Sequence, residues 1–149
     1  MPFTFVLPAN YGYTALIALN AIPLLLWGQG AISTSLRKQA AVPYPQHYAT
    51  PEQAKSNPAA YKFNCAQRAH ANLMENAPQV MAQLLFAGIE YPNATAILGT
   101  VWLVSRILFA YGYIQSDKPN GRGRMIGAGF WLVQLVLLGL CGATAIRLI

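Results

Sequence analysis

From Met1 to Leu36 the chain carries no charged residue, and from Met125 to Ile146 it again carries none. Each run reaches the roughly 20 residues that an α-helix needs to cross the hydrocarbon of a bilayer. Only 9% of the 149 residues are charged, against about 25% in a typical globular domain. Two further apolar stretches, 61–90 and 94–116, contain isolated charges. Inside hydrocarbon every backbone N–H and C=O has to be paired within the span, which selects helices. The expectation is an all-α integral membrane protein. It is read as a four-helix bundle in a single domain over residues 1–149, with helices at about 11–35, 61–90, 94–116 and 123–148.

The net charge of +6 would suit a nucleic-acid partner, but its distribution argues for membrane topology instead. Arg37, Lys38, Lys55 and Lys62 flank or occupy the first connection, and Lys118, Arg122 and Arg124 occupy the third. The second, around Tyr91–Asn93, has no basic residue. Basic residues on alternate loops follow the positive-inside rule, which places loops one and three in the cytosol and both termini on the other side. No nucleic acid is needed to explain the charge. The first stretch lacks the basic leader of a cleavable signal peptide and is read as a retained span.

Pro23 predicts a kink in the first helix. Pro43, Pro45, Pro51 and Pro58 argue against a continuous helix through the first connection. Asp117-Lys118-Pro119-Asn120-Gly121 predicts a turn before the last helix. Cys65 and Cys141 are too few and too distant in sequence for a metal site or a disulfide scaffold, so no metal is expected. Asn93-Ala94-Thr95 matches a glycosylation acceptor, but it lies in a loop so short that chance is the better reading.

The charges inside the apolar stretches point to function. Ionisable groups at membrane depth are costly and face a bundle interior or a wet cavity. At about 100° per residue, Asn64, Arg68, Asn72, Glu75 and Gln79 fall in one narrow sector of the second helix. Arg68 suits a carboxylate and Glu75 an ammonium group. On the third helix Trp102, Arg106, Phe109 and Tyr113 form another stripe. Such rows either bind a small polar ligand or hold helices together. His70 lies about 160° around the helix from Arg68. It either packs in the bundle or reaches a site on a neighbouring subunit.

The run from Phe63 to Glu75, Phe-Asn-Cys-Ala-Gln-Arg-Ala-His-Ala-Asn-Leu-Met-Glu, resembles the second helix of the membrane-associated proteins in eicosanoid and glutathione metabolism. Within that family it is most similar to the microsomal glutathione S-transferase type 3 branch. Arg106-Ile107-Leu108-Phe109-Ala110-Tyr111-Gly112-Tyr113, followed by Arg122-Gly123-Arg124, is a second match, and Arg37-Lys38 with Val42-Pro43-Tyr44-Pro45 a weaker third. The resemblance implies a homotrimer in the endoplasmic reticulum or a similar membrane, with glutathione between adjacent subunits near the cytosolic face. Arg68, Asn72, Glu75 and Tyr113, with Arg106 on the same cleft, would hold the tripeptide from one subunit. Arg37 and His70 would reach in from the next.

The family chemistry, as the resemblance implies it, uses an arginine to stabilise the glutathione thiolate. A free thiol has a pKa near 8.5, and lowering it by about two units takes roughly 2.7 kcal/mol of preferential thiolate stabilisation. Arg122 and Arg124 are the catalytic candidates. The implied function is a glutathione transferase or glutathione-dependent lipid hydroperoxide peroxidase acting on lipophilic electrophiles drawn from the membrane lipid. A non-catalytic lipid-binding adaptor, like the five-lipoxygenase-activating relatives, is the alternative. The chain departs from the family pattern at Phe109, where tyrosine is frequent, and at Asn76. It departs again at Lys38, the lipid-side candidate, where leukotriene C4 synthase has an arginine. Lysine keeps the charge but not the planar fork.

Overall fold

The computed structural model describes residues 6–116 and 118–149, and their regular structure is all helical, with no strand among them. Helix α1, Tyr11–Gln39, is continuous. Its turns widen over Ile17–Ala21, where the Ile22 N–H donates to the Ile17 carbonyl five residues back. Pro23 follows at once. It has no N–H to give, and its ring needs room beside the preceding turn. The expected kink therefore takes the form of one wide π-turn.

The first connection is more ordered than its prolines predict, because two of them start helices. Pro51 opens a short helix, α2 (Pro51–Ser56), and Pro58 opens α3 (Pro58–Ala87). Proline is tolerated in the first turn, where its missing N–H would have no partner anyway. Thr50 and Gln53 form a reciprocal cap on α2, and the Asn57 side chain accepts from the Ala59 N–H at the start of α3. Helix α4, Pro92–Gln115, follows after a short turn.

Helix α3 is the axis of the protein. Its buried positions, Phe63, Ala66, Ala69, Leu73, Ala77, Val80, Leu84 and Ala87, recur every three or four residues. Leu73, Ala77, Val80 and Leu84 of this row pack in one core with Ala18 and Ile22 of α1, Trp102 and Phe109 of α4, and Phe130, Val133 and Leu137 of the last helix, α5 (Phe130–Arg147). Phe63 packs with Ala40, Val42 and Ala49 of the first connection. Helices α1 and α4 begin side by side. The Thr14 and Thr95 hydroxyls lie 2.8 Å apart, and a Cβ on Gly99 would come within 2.9 Å of Ile17. Thr95, the hydroxyl residue of the glycosylation-like triplet, is fully buried in this contact.

Three helices, α1, α4 and α5, are long and apolar enough to cross a membrane. Their outward faces expose Leu19, Leu24, Val101, Val104, Leu132 and Leu135, an apolar surface of the kind that hydrocarbon covers. Helix α3, at 30 residues, is about 45 Å long but is interrupted by its polar stripe.

The last helix begins later than its sequence predicts. Residues Pro119–Gly127, which take in 123–127 of the helix expected at 123–148, form 3₁₀ turns folded back on the end of α4, and α5 starts only at Phe130. Asn120 and Gly121 have φ of 57° and 61°, a left-handed pair that reverses the chain. Asp117, the first residue of the expected turn, lies outside the described residues. Glycines then allow backbone to meet backbone: a Cβ on Gly127 would stand 2.2 Å from both Phe109 N and Ser105 O. Gly127→Val should accordingly destabilise the protein by about 1–3 kcal/mol through overpacking. Gly12→Ala, where nothing lies within 4 Å of the added Cβ, should leave stability unchanged. Thermal unfolding in detergent, followed by circular dichroism, checks the pair.

Candidate functional site

The two polar stripes meet at the middle of α3. Arg106 is fully buried, with its guanidinium carbon 4.3 Å from the Phe130 ring centre, 4.7 Å from Phe109 and 5.8 Å from Trp102. Three aromatic faces offer the cation its negative quadrupoles. A single hydrogen bond reaches out of this cage, from Arg106 Nη1 to Asn72 Oδ1 at 2.9 Å. Its Nε and Nη2 have no partner among the described residues. The amide of Asn72 in turn faces Glu75 Oε2 at 3.4 Å. Glu75 is gripped by Arg68 through Nη1 at 2.7 Å and Nη2 at 3.4 Å. The chain of contacts thus runs Arg106, Asn72, Glu75, Arg68, from the core outward. Its outer end is open, with the Arg68 and Glu75 side chains 45% and 54% exposed.

Arg68 also lines a cleft of about 340 Å³ with Tyr113, Tyr48, Tyr61 and Cys65, closed at one end by Asn120 and Gly121. The 3₁₀ segment builds this wall. Arg124 Nη1 takes the Asn120 and Gly121 carbonyls at 2.8 and 2.9 Å, and its guanidinium lies 5.3 Å from the Tyr113 ring centre. The two catalytic candidates are therefore unlike each other. Arg124 is built into the cleft wall, whereas Arg122 is exposed. Asn64, first of the expected stripe, lines the same cleft and has a second task. Its amide exchanges two hydrogen bonds with the Ala49 backbone, at 2.8 and 3.0 Å, and so clamps the first connection to α3.

Arg37, Lys38 and His70 lie on the other side of α3, along a groove of about 990 Å³ shared with α1 and the first connection. Arg37 is sandwiched between the rings of Tyr44 and Phe63, each 4.6 Å away, and donates to the carbonyls of Gln46 and His47. His70 packs on Gly30, whose absent Cβ would stand 3.5 Å from the imidazole. Its Nδ1 is buried without a partner among the described residues. The chain therefore carries two separate polar surfaces, Arg68–Glu75–Tyr113 and Arg37–Lys38–His70, on opposed sides of α3.

The sequence pattern of the MAPEG family matches residues 14–143. The chain belongs to the MAPEG family. The matched range runs from the first turns of α1 to the last turns of α5, so both polar surfaces lie within it. An uncharacterized protein of Synechocystis sp. is 37% identical over 67 residues, which is 44% of this chain and 49% of that relative. The match thus spans about half the length of that curated relative.

Several cleft residues escape the stripes drawn from sequence, Cys65, Tyr61 and Tyr48 among them. Tyr61 lies one turn before Asn64 and Cys65 on the same sector, and extending the periodicity by one turn finds it. Tyr48 belongs to the first connection, and only the folded loop brings it to Arg68.

The Arg106–Asn72 contact makes a prediction about stability. Removing one partner of a buried hydrogen bond leaves the other unsatisfied at a cost of about 1–3 kcal/mol, more when that group is charged, whereas replacing both partners with apolar groups is far milder. Asn72→Leu should therefore lower the thermal midpoint strongly, and the double variant Asn72→Leu/Arg106→Met should recover much of the loss. A double variant no more stable than the single one would show that Asn72 is not what holds the cation.

Proposed function

We propose that this MAPEG protein is a glutathione-dependent membrane enzyme, a transferase or lipid hydroperoxide peroxidase. It would act as a homotrimer of four-span subunits, in the endoplasmic reticulum or a similar membrane, with both termini on the non-cytosolic side. The observation that carries the reading is the half-exposed Arg68–Glu75 pair at mid-helix. Lipid is a poor cover for two charges at that depth, so another protein surface has to cover them. The groove with Arg37 and His70 is a suitable surface on a second copy. Glutathione has the complementary chemistry: two carboxylates for arginines, an ammonium for Glu75 and two peptide units for Asn72 and Tyr113. Arg106, caged in the core, would act through Asn72 rather than touch the tripeptide.

Arg124 is the better placed of the two arginines for the thiol. It backs the ring of Tyr113 in the cleft wall, and its Nη2 and Nε, which donate to no group among the described residues, would be offered to a thiolate. A charge-assisted hydrogen bond there favours the ionised sulfur. The thiolate would then attack an electrophilic carbon, forming a C–S bond as an epoxide C–O bond or an activated C=C π bond breaks and the released electron pair takes up a proton. With a hydroperoxide it would take the terminal oxygen, a second glutathione would complete the disulfide, and the products would be an alcohol and water. The apolar outer faces give lipophilic substrates a route from the membrane.

Addition of glutathione to the purified protein should raise thiolate ultraviolet absorbance in wild type and in Arg122→Ala but not in Arg124→Ala. Arg68→Ala should weaken glutathione binding about 10–100-fold, the value of a lost charged hydrogen bond, while the protein stays trimeric in size-exclusion chromatography with light scattering. Loss of the trimer in Arg68→Ala would mean that the polar stripe is helix glue. Intact assembly without any glutathione binding in wild type would favour the adaptor.

A further inference from the structure

A third cavity, of about 240 Å³, lies between α1 and α4. Leu25 and Ile32 of α1 form one wall and Ile107 and Ile114 of α4 the other, and the small side chains of Ala66 and Ala110 leave the space between them. It shares no lining residue with the Arg68 cleft or the His70 groove. One group in it does not belong in an apolar slot. Gln29 is 7% exposed, lines the cavity, and has neither its amide nitrogen nor its carbonyl oxygen paired among the described residues. An unpaired buried amide is costly, and no bulk water reaches this depth to relieve it.

Helices α1 and α4 run in the same direction, since their first turns meet at Thr14 and Thr95. The cavity is therefore ordered along the membrane normal. Leu25 and Ile107 lie deepest, and Gln29 comes about 6 Å of helix axis after Leu25. Tyr111 and Gln115 lie at the end nearest the basic connections, with the Lys62 ammonium 2.9 Å from Gln115 Oε1. Going outward, the slot offers apolar walls, then the Gln29 amide with donor and acceptor both without partners among the described residues, then further apolar wall at Ile32 and Ile114, then a positive charge.

We propose that this slot binds an anionic monoacyl glycerophospholipid. Its acyl chain lies between α1 and α4, its ester carbonyl accepts from Gln29 Nε2, its free glycerol hydroxyl donates to Gln29 Oε1, and its phosphate meets Lys62. A diacyl lipid has no free hydroxyl for the Gln29 oxygen and a second chain for which the slot has no lane. A neutral monoacylglycerol has the hydroxyl but nothing for Lys62.

The test is native mass spectrometry of the purified full-length protein with 1-oleoyl lysophosphatidic acid, compared with dioleoyl phosphatidic acid and monoolein. One lysolipid is expected per subunit, with the other two lipids retained about tenfold less. Gln29→Leu and Lys62→Gln should each weaken lysolipid binding about tenfold, and monoolein should be indifferent to Lys62→Gln. Without lipid, Gln29→Leu should raise the thermal midpoint, because it removes an unpaired buried amide. Equal retention of the diacyl lipid, or unchanged lysolipid binding in Gln29→Leu, would overturn the assignment. So would a fall in the midpoint of Gln29→Leu, which would show the amide already paired within the protein. Neither readout involves glutathione, so this site and the Arg68 cleft stand or fall separately.

Discussion

A guanidinium at the centre of a hydrophobic protein sets the terms for everything around it. Arg106 has three aromatic rings within 6 Å and one hydrogen bond, to Asn72. The rings come from α4 and α5 and the amide from α3, so the position of the cation depends on three helices at once. Asn72 is then committed on its oxygen and free on its nitrogen, which is why it can turn toward Glu75. The next amide on that helix is used in the same way. Asn76 donates to the Asn72 carbonyl at 2.7 Å and accepts from Gln134 of α5 at 3.1 Å. Polar groups inside the core are thus linked in series, each holding the next in a defined orientation.

That series ends at the surface of one subunit, and its end is unfinished. Arg68 and Glu75 satisfy each other but remain half open, while the histidine and arginine of the opposed face look the other way. A helix presents its residues around a full circle, so side chains two apart cannot serve one cleft within one copy. Complementary surfaces on opposed faces are what a rotationally repeated assembly requires, because each copy then offers one face to each neighbour. The proposed function rests on that relation more than on any single residue.

The 3₁₀ segment shows how much a few glycines decide. Arg122 and Arg124 are two residues apart and chemically identical, and nothing in their spacing distinguishes them. The left-handed pair Asn120–Gly121 and the backbone contact at Gly127 fold the segment onto α4. This turns Arg124 toward the carbonyls that close the Tyr113 cleft and leaves Arg122 outside. A helical reading of residues 123–129 could not make that distinction, since glycines that read as a weak helix start are here the points of backbone approach.

Much of the architecture is written in the composition and periodicity. Charge-free runs of bilayer length specify helices, because hydrocarbon leaves the backbone no other way to pair its polar groups. The 3.6-residue repeat placed Arg68, Asn72 and Glu75 on one face of α3 and His70 on the other, as the structure has them. Periodicity also put Asn64 in the row that lines the cleft but could not show that its amide is engaged by Ala49, and it grouped Arg106 with Tyr113, although one is sealed in the core and the other lines the cleft. Such differences depend on what stands opposite a side chain, and one helix's spacing has no information about its neighbours. The sequence by itself determined the helices, the basic loops and the faces of α3. Only the tertiary structure decided which polar groups are consumed internally and which are left open, because hydrogen-bond partners come from other helices and from loops whose path is set by packing.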